Sequence, residues 1–316
     1  MAALRKDSKI VITGIAGLVG QNLSLRLHAA GYSNIHGIDK HTKNLSILRE
    51  TQPWVKTMDA DLAEPGSWAN MLKDADIVVL NQAQIGGLDY TDFERNNITA
   101  TQNILAAVNP KAAPFIIHIS SSVVNSSADD FYTRSKTEQE RIVVNSSLPH
   151  CVLRPTLMFG WFDRKHLGWL RRFMTKTPVF PIPGNGKYIR QPLYAGDFCE
   201  VIIACMQSQP KGEIFDISGQ DKHSYIDLIK TIKRVCGLRT WVIKIPYSLF
   251  YALLWLAAKV MKNPPFTTAQ LKALIIPEEF PVTDWPTRFT VTPTPFEAAA
   301  REAYTDPRYA GITLDF

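Results

Sequence analysis

Short apolar runs alternate with amphipathic stretches through the first half of this 316-residue chain, and that alternation sets the expected fold. Lys9–Thr13, Asn34–Ile38, Ile77–Leu80, Phe115–Ile119 and Cys151–Leu153 read as strands, while Leu18–Ala30, Ser67–Lys73, Phe93–Val108 and Tyr132–Asn145 carry helical patterning. The strand cores are continuous Val/Ile/Leu runs, which predicts strands covered on both faces. Strand and helix in turn predict right-handed crossovers and a parallel sheet, an α/β fold of the doubly wound kind. Beyond Pro155 the character changes. Prolines and glycines cluster at Pro178–Gly186, and helices return at Asp197–Met206 and Ser224–Val235. Thr294–Glu297 reads as a capping box with Pro295 at the first helical position. The expected division is a sheet domain over residues 1–155 and a smaller lobe over 156–316, some of whose elements can return to the sheet. A ligand cleft belongs between them, at the carboxyl ends of the strands.

Two later segments stand apart. Leu249–Ala258 (LFYALLWLAA) is apolar throughout, with Lys244 before it and Lys259 and Lys262 after. It falls short of the roughly 20 residues that span a bilayer. A buried helix packing the lobe or an interface is therefore the expectation, ahead of in-plane membrane contact. Trp161–Lys176 mixes aromatics with six basic residues, His166 included, and reads as a solvated helix face with apolar anchors, ahead of a site for phosphate or headgroups.

Composition narrows the class. Hydrophobic residues at 46% and charged residues at 20% exclude a disordered or fibrous chain. The net charge of +6 allows an anionic ligand or surface, but spread over this length it is no nucleic-acid footprint. Cys151, Cys199, Cys205 and Cys236 show no CxxC spacing, so no metal site is expected. A charged N-terminus leading into a strand is unlike a signal peptide, and a reducing, cytoplasmic setting is expected, membrane-peripheral at most.

The candidate chemistry begins at Thr13–Gly20, where Gly14, Gly17 and Gly20 form a GxxGxxG turn between the first strand and helix. Glycines there allow a tight turn and close backbone approach, and the helix start, with Leu18 and Val19, faces a pyrophosphate. Asp39 ends the second strand, where a carboxylate accepts from adenine-ribose hydroxyls and repels a 2′-phosphate, favouring NAD. The adjacent Lys40 could bind that phosphate and so leaves NADP open. Tyr132 and Lys136 lie four residues apart at a helix start, on one face. A nearby ammonium lowers a phenol's pKa, so the pair could move a proton while a nicotinamide exchanges a hydride. Ser120–Ser122 end the preceding strand, on the side of the cleft.

In order, TGIAGLVG, Asp39, Asp61-Leu62, Asn97, Ser120–Ser122, YTRSK and Leu153-Arg154-Pro155 resemble the extended short-chain dehydrogenase/reductases, specifically the NAD-dependent epimerase/dehydratase family, over residues 9 to about 220. The resemblance implies a Rossmann-type sheet with a C-terminal substrate-binding lobe. By it, Asp61 and Leu62 would flank the adenine, Ala83 would line the cofactor site with Ser120 and Pro155, and Asn97 would help hold the cofactor. Tyr132 would be the general acid/base, Lys136 would bind the nicotinamide ribose, and Ser122 would touch the reacting oxygen. Gln84 and Arg190 would meet the substrate, Arg190 at an anionic part. A homodimer is implied by the same analogy. Val123 and Val124 replace the acidic pair of the family's dehydratases, which argues against sugar dehydration. Val124-Asn125-Ser126 stands for the usual Val-Tyr-Gly, the loop before Tyr132 is short, and Leu157 replaces an Asn that often contacts the nucleotide diphosphate.

The leading expectation is NAD-dependent chemistry on a secondary alcohol, as a 4-epimerase of a nucleotide- or lipid-linked sugar. A dehydrogenase of a sterol-like or other alcohol needs the same residues and stays open. A non-catalytic dinucleotide sensor or scaffold is the reading from another class, and the Tyr132–Lys136 pair argues against it.

Overall fold

Seven parallel strands line up side by side in a computed structural model that describes residues 4–260 and 267–315; Lys262 and the first three residues of the N-terminal reading lie outside these. The strands in chain order are β1 Ile10–Thr13, β2 Ile35–Asp39, β3 Lys56–Asp59, β4 Ile77–Leu80, β5 Phe115–Ile119, β6 His150–Pro155, β7 Met158–Phe159, β8 Val179–Pro183, β9 Ile189–Arg190, β10 Leu193–Tyr194, β11 Ile214–Ile217, β12 His223–Ser224 and β13 Trp241–Ile245. The large sheet runs β11-β6-β5-β4-β1-β2-β3. The order reverses between β1 and β4, where a crevice opens above the strand ends. β3 was not expected. It is an edge strand of sequence KTMD with both ends exposed, so it carries no apolar run.

The helices are α1 Leu18–Ala29, α2 Thr42–Thr51, α3 Ala69–Leu72, α4 Tyr90–Phe93, α5 Ala100–Ala107, α6 Phe131–Val144, α7 His166–Lys176, α8 Ala195–Ser208, α9 Tyr225–Val235, α10 Tyr247–Val260, α11 Thr268–Ile275, α12 Trp285–Phe289 and α13 Phe296–Thr305. Successive residues of β1 serve opposite cores. Ile10 and Ile12 pack with Leu23 and Leu27 of α1 and Phe198 of α8, whereas Val11 packs with Ile104 of α5 and Val143 of α6. All are essentially water-free, and burying such a side chain contributes about 1.5–3 kcal/mol. This is why the strands read as unbroken apolar runs. α1 stops at Gly31, whose φ of +87° ends the helix while the N–H of Tyr32 returns to the carbonyl of Leu27.

The single helix expected over Phe93–Val108 is three pieces. Asp89 caps α4 through the N–H of Thr91, and a π-helical turn over Glu94–Thr99 precedes α5. The lobe has its own core, in which Phe159, Leu170, Phe180, Ile229, Phe296 and Tyr304 meet. Residue 155 does not separate the two layers cleanly. α8 packs on α1, β11 pairs with β6, and Trp285 and Phe289 of α12 join the core beneath the sheet.

Two further expectations are corrected. The Thr294 hydroxyl does not cap α13; it donates to Asp197 (2.6 Å), whose other oxygen accepts from the Thr294 N–H (2.9 Å). A buried carboxylate on α8 outcompetes the local cap. The apolar run in α10 is also not buried: Leu249, Leu253, Trp255 and Leu256 are 50–56% exposed. α10 packs against α11, and among the described residues these side chains of its outer side stay half exposed. Among the described residues no helix is long and apolar enough to cross a membrane.

Candidate active site

A cleft of about 610 Å³ opens where the strand order reverses, walled by the glycine turn, the ends of β2, β4, β5 and β6, and the segment around residues 162–166. At its closed end Gly14 holds φ +62°, and a Cβ there would lie 2.8 Å from the Gln82 backbone. The turn can sit this close to β4 only as glycine. α1 starts with neither a side-chain cap nor an acidic residue in its first turn, so its N–H groups present positive potential to the cleft. Gly17, Leu18 and Val19 line that wall. Gly20 does not; a Cβ there would lie 2.5 Å from the Ile15 backbone, so its smallness serves helix packing.

Asp39 is buried at the cleft floor and accepts from the N–H groups of Ala16 (2.9 Å) and His41 (3.0 Å). Burial pushes its pKa up, and those N–H groups pull it back. The Lys40 N–H also bears on this carboxylate, whose roughly four acceptor sites leave room for a further donor. Lys40 turns to Asn96 (2.6 Å) and lies 3.7 Å from Asp61. Asp61 also binds Arg95 (2.6 Å), and its pKa is lowered although burial opposes this, through bonds to Arg95 and the Ala63 N–H. Asp61, Leu62, Ala83 and Gln84 complete this wall.

Ser120, Ser121, Ser122, Tyr132, Lys136 and Pro155 all reach the cleft. The hydroxyl that bears on the Tyr132 phenol is that of Ser121, just past the end of β5, which accepts weakly from the Val123 N–H (3.4 Å). Ser122 opens the short 3-10 turn beyond it and lines the same wall. Tyr132 departs from expectation: burial pushes its phenol above the usual value, the Ser121 bond pulls it down, and Asp130 adds to the rise. Lys136 does not lower it. The Lys136 ammonium is buried and donates instead to the Ile119 carbonyl (2.8 Å) and Gln139 Oε1 (2.6 Å). Burial lowers its pKa to about 7, against a smaller upward pull from Glu140.

The bond to Gln139 begins a buried chain that the sequence did not suggest. Gln139 and Gln82 both donate to Thr101 Oγ1 (2.9 and 3.0 Å), and Thr13 donates to Gln82 Oε1 (2.5 Å). Lys136 is thereby linked to the end of β1, from which the glycine turn leaves. Gln139 lies one helical turn after Lys136, and that spacing was the available signal.

Other expected site residues are employed elsewhere. Asn97, on the π-helical turn, is buried behind the wall, where it binds the Gln84 backbone N–H (2.7 Å) and carbonyl (3.2 Å) and Ser135 (2.9 Å). Its neighbour Asn96 faces the cleft. Ser120 donates to Glu140 (2.5 Å), which is paired with Arg154. Arg190 is nine-tenths buried, donates to the carbonyls of Leu274 and Ile276 (2.8 Å to Ile276) and lies 3.7 Å from Glu278. It caps the end of α11 and does not border the cleft.

The opposite wall corrects the reading of Trp161–Lys176 as a solvated face, because Phe162, Asp163, Arg164, Lys165 and His166 line the cleft. Phe162 (φ +67°) and His166 (φ +49°) hold left-handed backbone, a strained conformation for such side chains. Asp163 anchors the bend by accepting from the Gly168 N–H (2.8 Å) and, at 3.4 Å, the Tyr304 hydroxyl. Burial pushes the Asp163 carboxyl up to about 7 and, with Lys165, drops His166 to about 4. Arg164 and Lys165 are the cationic side chains that this segment brings to the cleft lined by Tyr132.

Residues 10–218 match the model of the NAD dependent epimerase/dehydratase family. The chain is similar to the UDP-N-acetyl-alpha-D-glucosaminuronate decarboxylase of Bacillus cytotoxicus, 23% identical over 274 residues, which are 77% of this chain and 85% of that protein. It is also similar to the 4-hydroxy-2-methyl-3-oxo-4-farnesyl-3,4-dihydroquinoline-1-oxide ketoreductase of Stigmatella aurantiaca, 20% identical over 260 residues, 75% of this chain and 76% of that one. Among solved structures, the UDP-glucuronic acid 4-epimerase of Bacillus cereus in complex with NAD is similar with a TM-score of 0.71 and 21% identity, covering 94% of this chain and 97% of that one. At that identity the structural likeness is one of fold.

Proposed function

The chain belongs to the NAD dependent epimerase/dehydratase family, and on that premise we propose that it runs an oxidation–reduction cycle on a secondary alcohol, as a 4-epimerase of a nucleotide-linked sugar. One observation carries the reading: the Ser121–Tyr132 pair shares a single cleft with Lys136, the glycine turn and Asp39. The residues fit NAD. The uncapped start of α1 with Gly14 and Gly17 would hold the pyrophosphate, and Asp39 would take the ribose hydroxyls. Leu62 and Ala83 would border the adenine end, and Lys136 the nicotinamide ribose. Lys40, engaged with Asn96 and Asp61, is not free to seat a 2′-phosphate, which favours NAD over NADP.

When bound, NAD supplies the acceptor, and afterwards the donor, of the hydride. Tyr132 Oη takes the proton of the substrate hydroxyl and returns it after the resulting ketone has presented its other face. The Ser121 hydroxyl would favour the charged form of that oxygen, opposing part of the burial that holds the phenol above its usual value. Ser122, which lines the same cleft, would steady the reacting oxygen. Arg164 and Lys165 would meet the diphosphate, a role Arg190 cannot fill from its buried position. Incubation with UDP-hexoses and UDP-hexuronic acids tests the reading. Interconversion of 4-epimers without added NAD, slowed at least about a hundredfold in Tyr132→Phe, is expected; net NADH accumulation or no conversion contradicts it.

A second reading has its own support. The similarity to a ketoreductase named for a farnesylated substrate, together with the exposed apolar helix α10, favours reduction of a lipophilic ketone. Consumption of added NADH by such ketones, with no sugar epimerised, would select it.

A further inference from the structure

The outer side of α10 exposes a run of large apolar side chains, and the cleft chemistry makes no use of it. Leu249, Leu253, Trp255 and Leu256 stand at least half exposed, and β13, the strand leading into α10, exposes Trp241 by 73%. An exposed helix that is apolar nearly all round normally meets a core or a lipid phase. The charge around it decides between these. Residues 228–277 contain eight Lys and Arg and no Asp or Glu, so this stretch carries +8 of a chain total of +6 and the remainder is net −2. Lys244 before α10, Lys259 in its last turn and Lys272 on α11 are all exposed. Lys259 lies 3.6 Å over the Trp255 ring and Lys272 5.8 Å from the Tyr251 ring, so cations border the apolar residues directly. A second copy of the same face would bring two acid-free cationic surfaces together, which disfavours self-association.

We propose that α10 and α11 dock the protein in the plane of an anionic lipid bilayer, with Leu253, Trp255 and Leu256 entering the headgroup–acyl boundary and Lys244, Lys259 and Lys272 meeting lipid phosphates. The docked face is joined to the cleft. α11 ends at Ile275, Arg190 holds the carbonyls of Leu274 and Ile276, and Glu278 and Phe280, a few residues on, line the cleft. A bilayer beneath α10 and α11 therefore brings the cleft within reach of an amphiphilic substrate. The inference stands independently of the reaction, since it rests on surface and charge alone.

Flotation of the full chain with vesicles tests it. Recovery with phosphatidylglycerol-rich vesicles and little recovery with phosphatidylcholine alone is expected, weakening as salt is raised. Lys259→Gln and Lys272→Gln should each weaken partition roughly fivefold. Leu253→Glu with Leu256→Glu should abolish it while leaving the circular dichroism spectrum and the cleft activity unchanged. Should that variant misfold, the unaltered chain still decides: brominated phosphatidylglycerol quenches tryptophan fluorescence, and Trp255→Phe removes most of that quenching. A chain that stays unbound with anionic vesicles overturns the proposal. So does sedimentation showing a dimer that Leu253→Glu dissociates, because a second copy would then cover the face.

Discussion

α1 and α10 are both apolar helices next to a strand, yet Leu23 of α1 has no exposed surface and Leu253 of α10 is 50% exposed. α1 is flanked by polar positions whose side chains tie it to the rest of the fold: Ser24 binds Gln52 (2.5 Å) and Asn22 binds the Trp161 carbonyl (3.0 Å). α10 packs against α11, and Lys259 of its own last turn lies over the Trp255 ring. An apolar run specifies that a surface avoids water, while the polar groups around it specify which surface of the protein it meets. α10 lacks that second instruction, and its surrounding charge points away from the protein.

The contrast can be broken or sharpened by substitution. The largest effect belongs to the cleft: Tyr132→Phe should lower kcat by about 10²–10⁴-fold, the range for a lost general acid/base, without lowering cofactor content. Steady-state kinetics decide it, and unchanged turnover would remove Tyr132 from the chemistry. Leu23→Ala should cost about 2–5 kcal/mol in urea unfolding. A loss as small as that of a surface residue would mean that α1 is not the core helix.

Gln139→Leu should cost about 1–3 kcal/mol, because Lys136 loses an acceptor and Thr101 a donor inside the protein. Lys136 itself gives a pH signature. Its folded pKa of about 7 lies below the unfolded value near 10.5, so between those values the unfolded chain binds the extra proton and stability rises with pH. Relative to Lys136→Met, the wild type should gain at most about 1.4 kcal/mol per pH unit over that window, and nothing further below it. Melting curves of both proteins from pH 6 to 10 read this directly. A flat difference would place the ammonium in water. The smallest effect is expected on α10, where Leu253→Ala should change unfolding stability by less than about 0.5 kcal/mol. A cost like that of Leu23→Ala would mean that this face is covered by protein.

The Rossmann-type sheet was legible because both-face burial writes itself into β1, β4 and β5 as unbroken Val/Ile runs. β3 was not, since an edge strand with Lys56 and Asp59 at its ends carries no such run. The glycine turn, Asp39, Tyr132 and Lys136 were legible from spacing along one chain segment, and the structure brings them to one cleft. What spacing could not reveal was side-chain direction. Arg190 looked available but caps α11, Asn97 turns behind the wall on a π-helical turn, and Thr294 leaves its own helix for Asp197. The bend at residues 162–166 was read as solvated helix because its left-handed residues, Phe162 and His166, carry no glycine to mark them.

The central claim is a redox cycle on a cofactor held in the cleft and returned to its starting state each turn. Denaturing the purified protein and assaying the supernatant for NAD(H) tests it most directly. Release of close to one NAD(H) per chain, from protein that epimerises substrate with none added, is expected. Protein that releases none and acts only when NAD is supplied, converting it stoichiometrically, would contradict it.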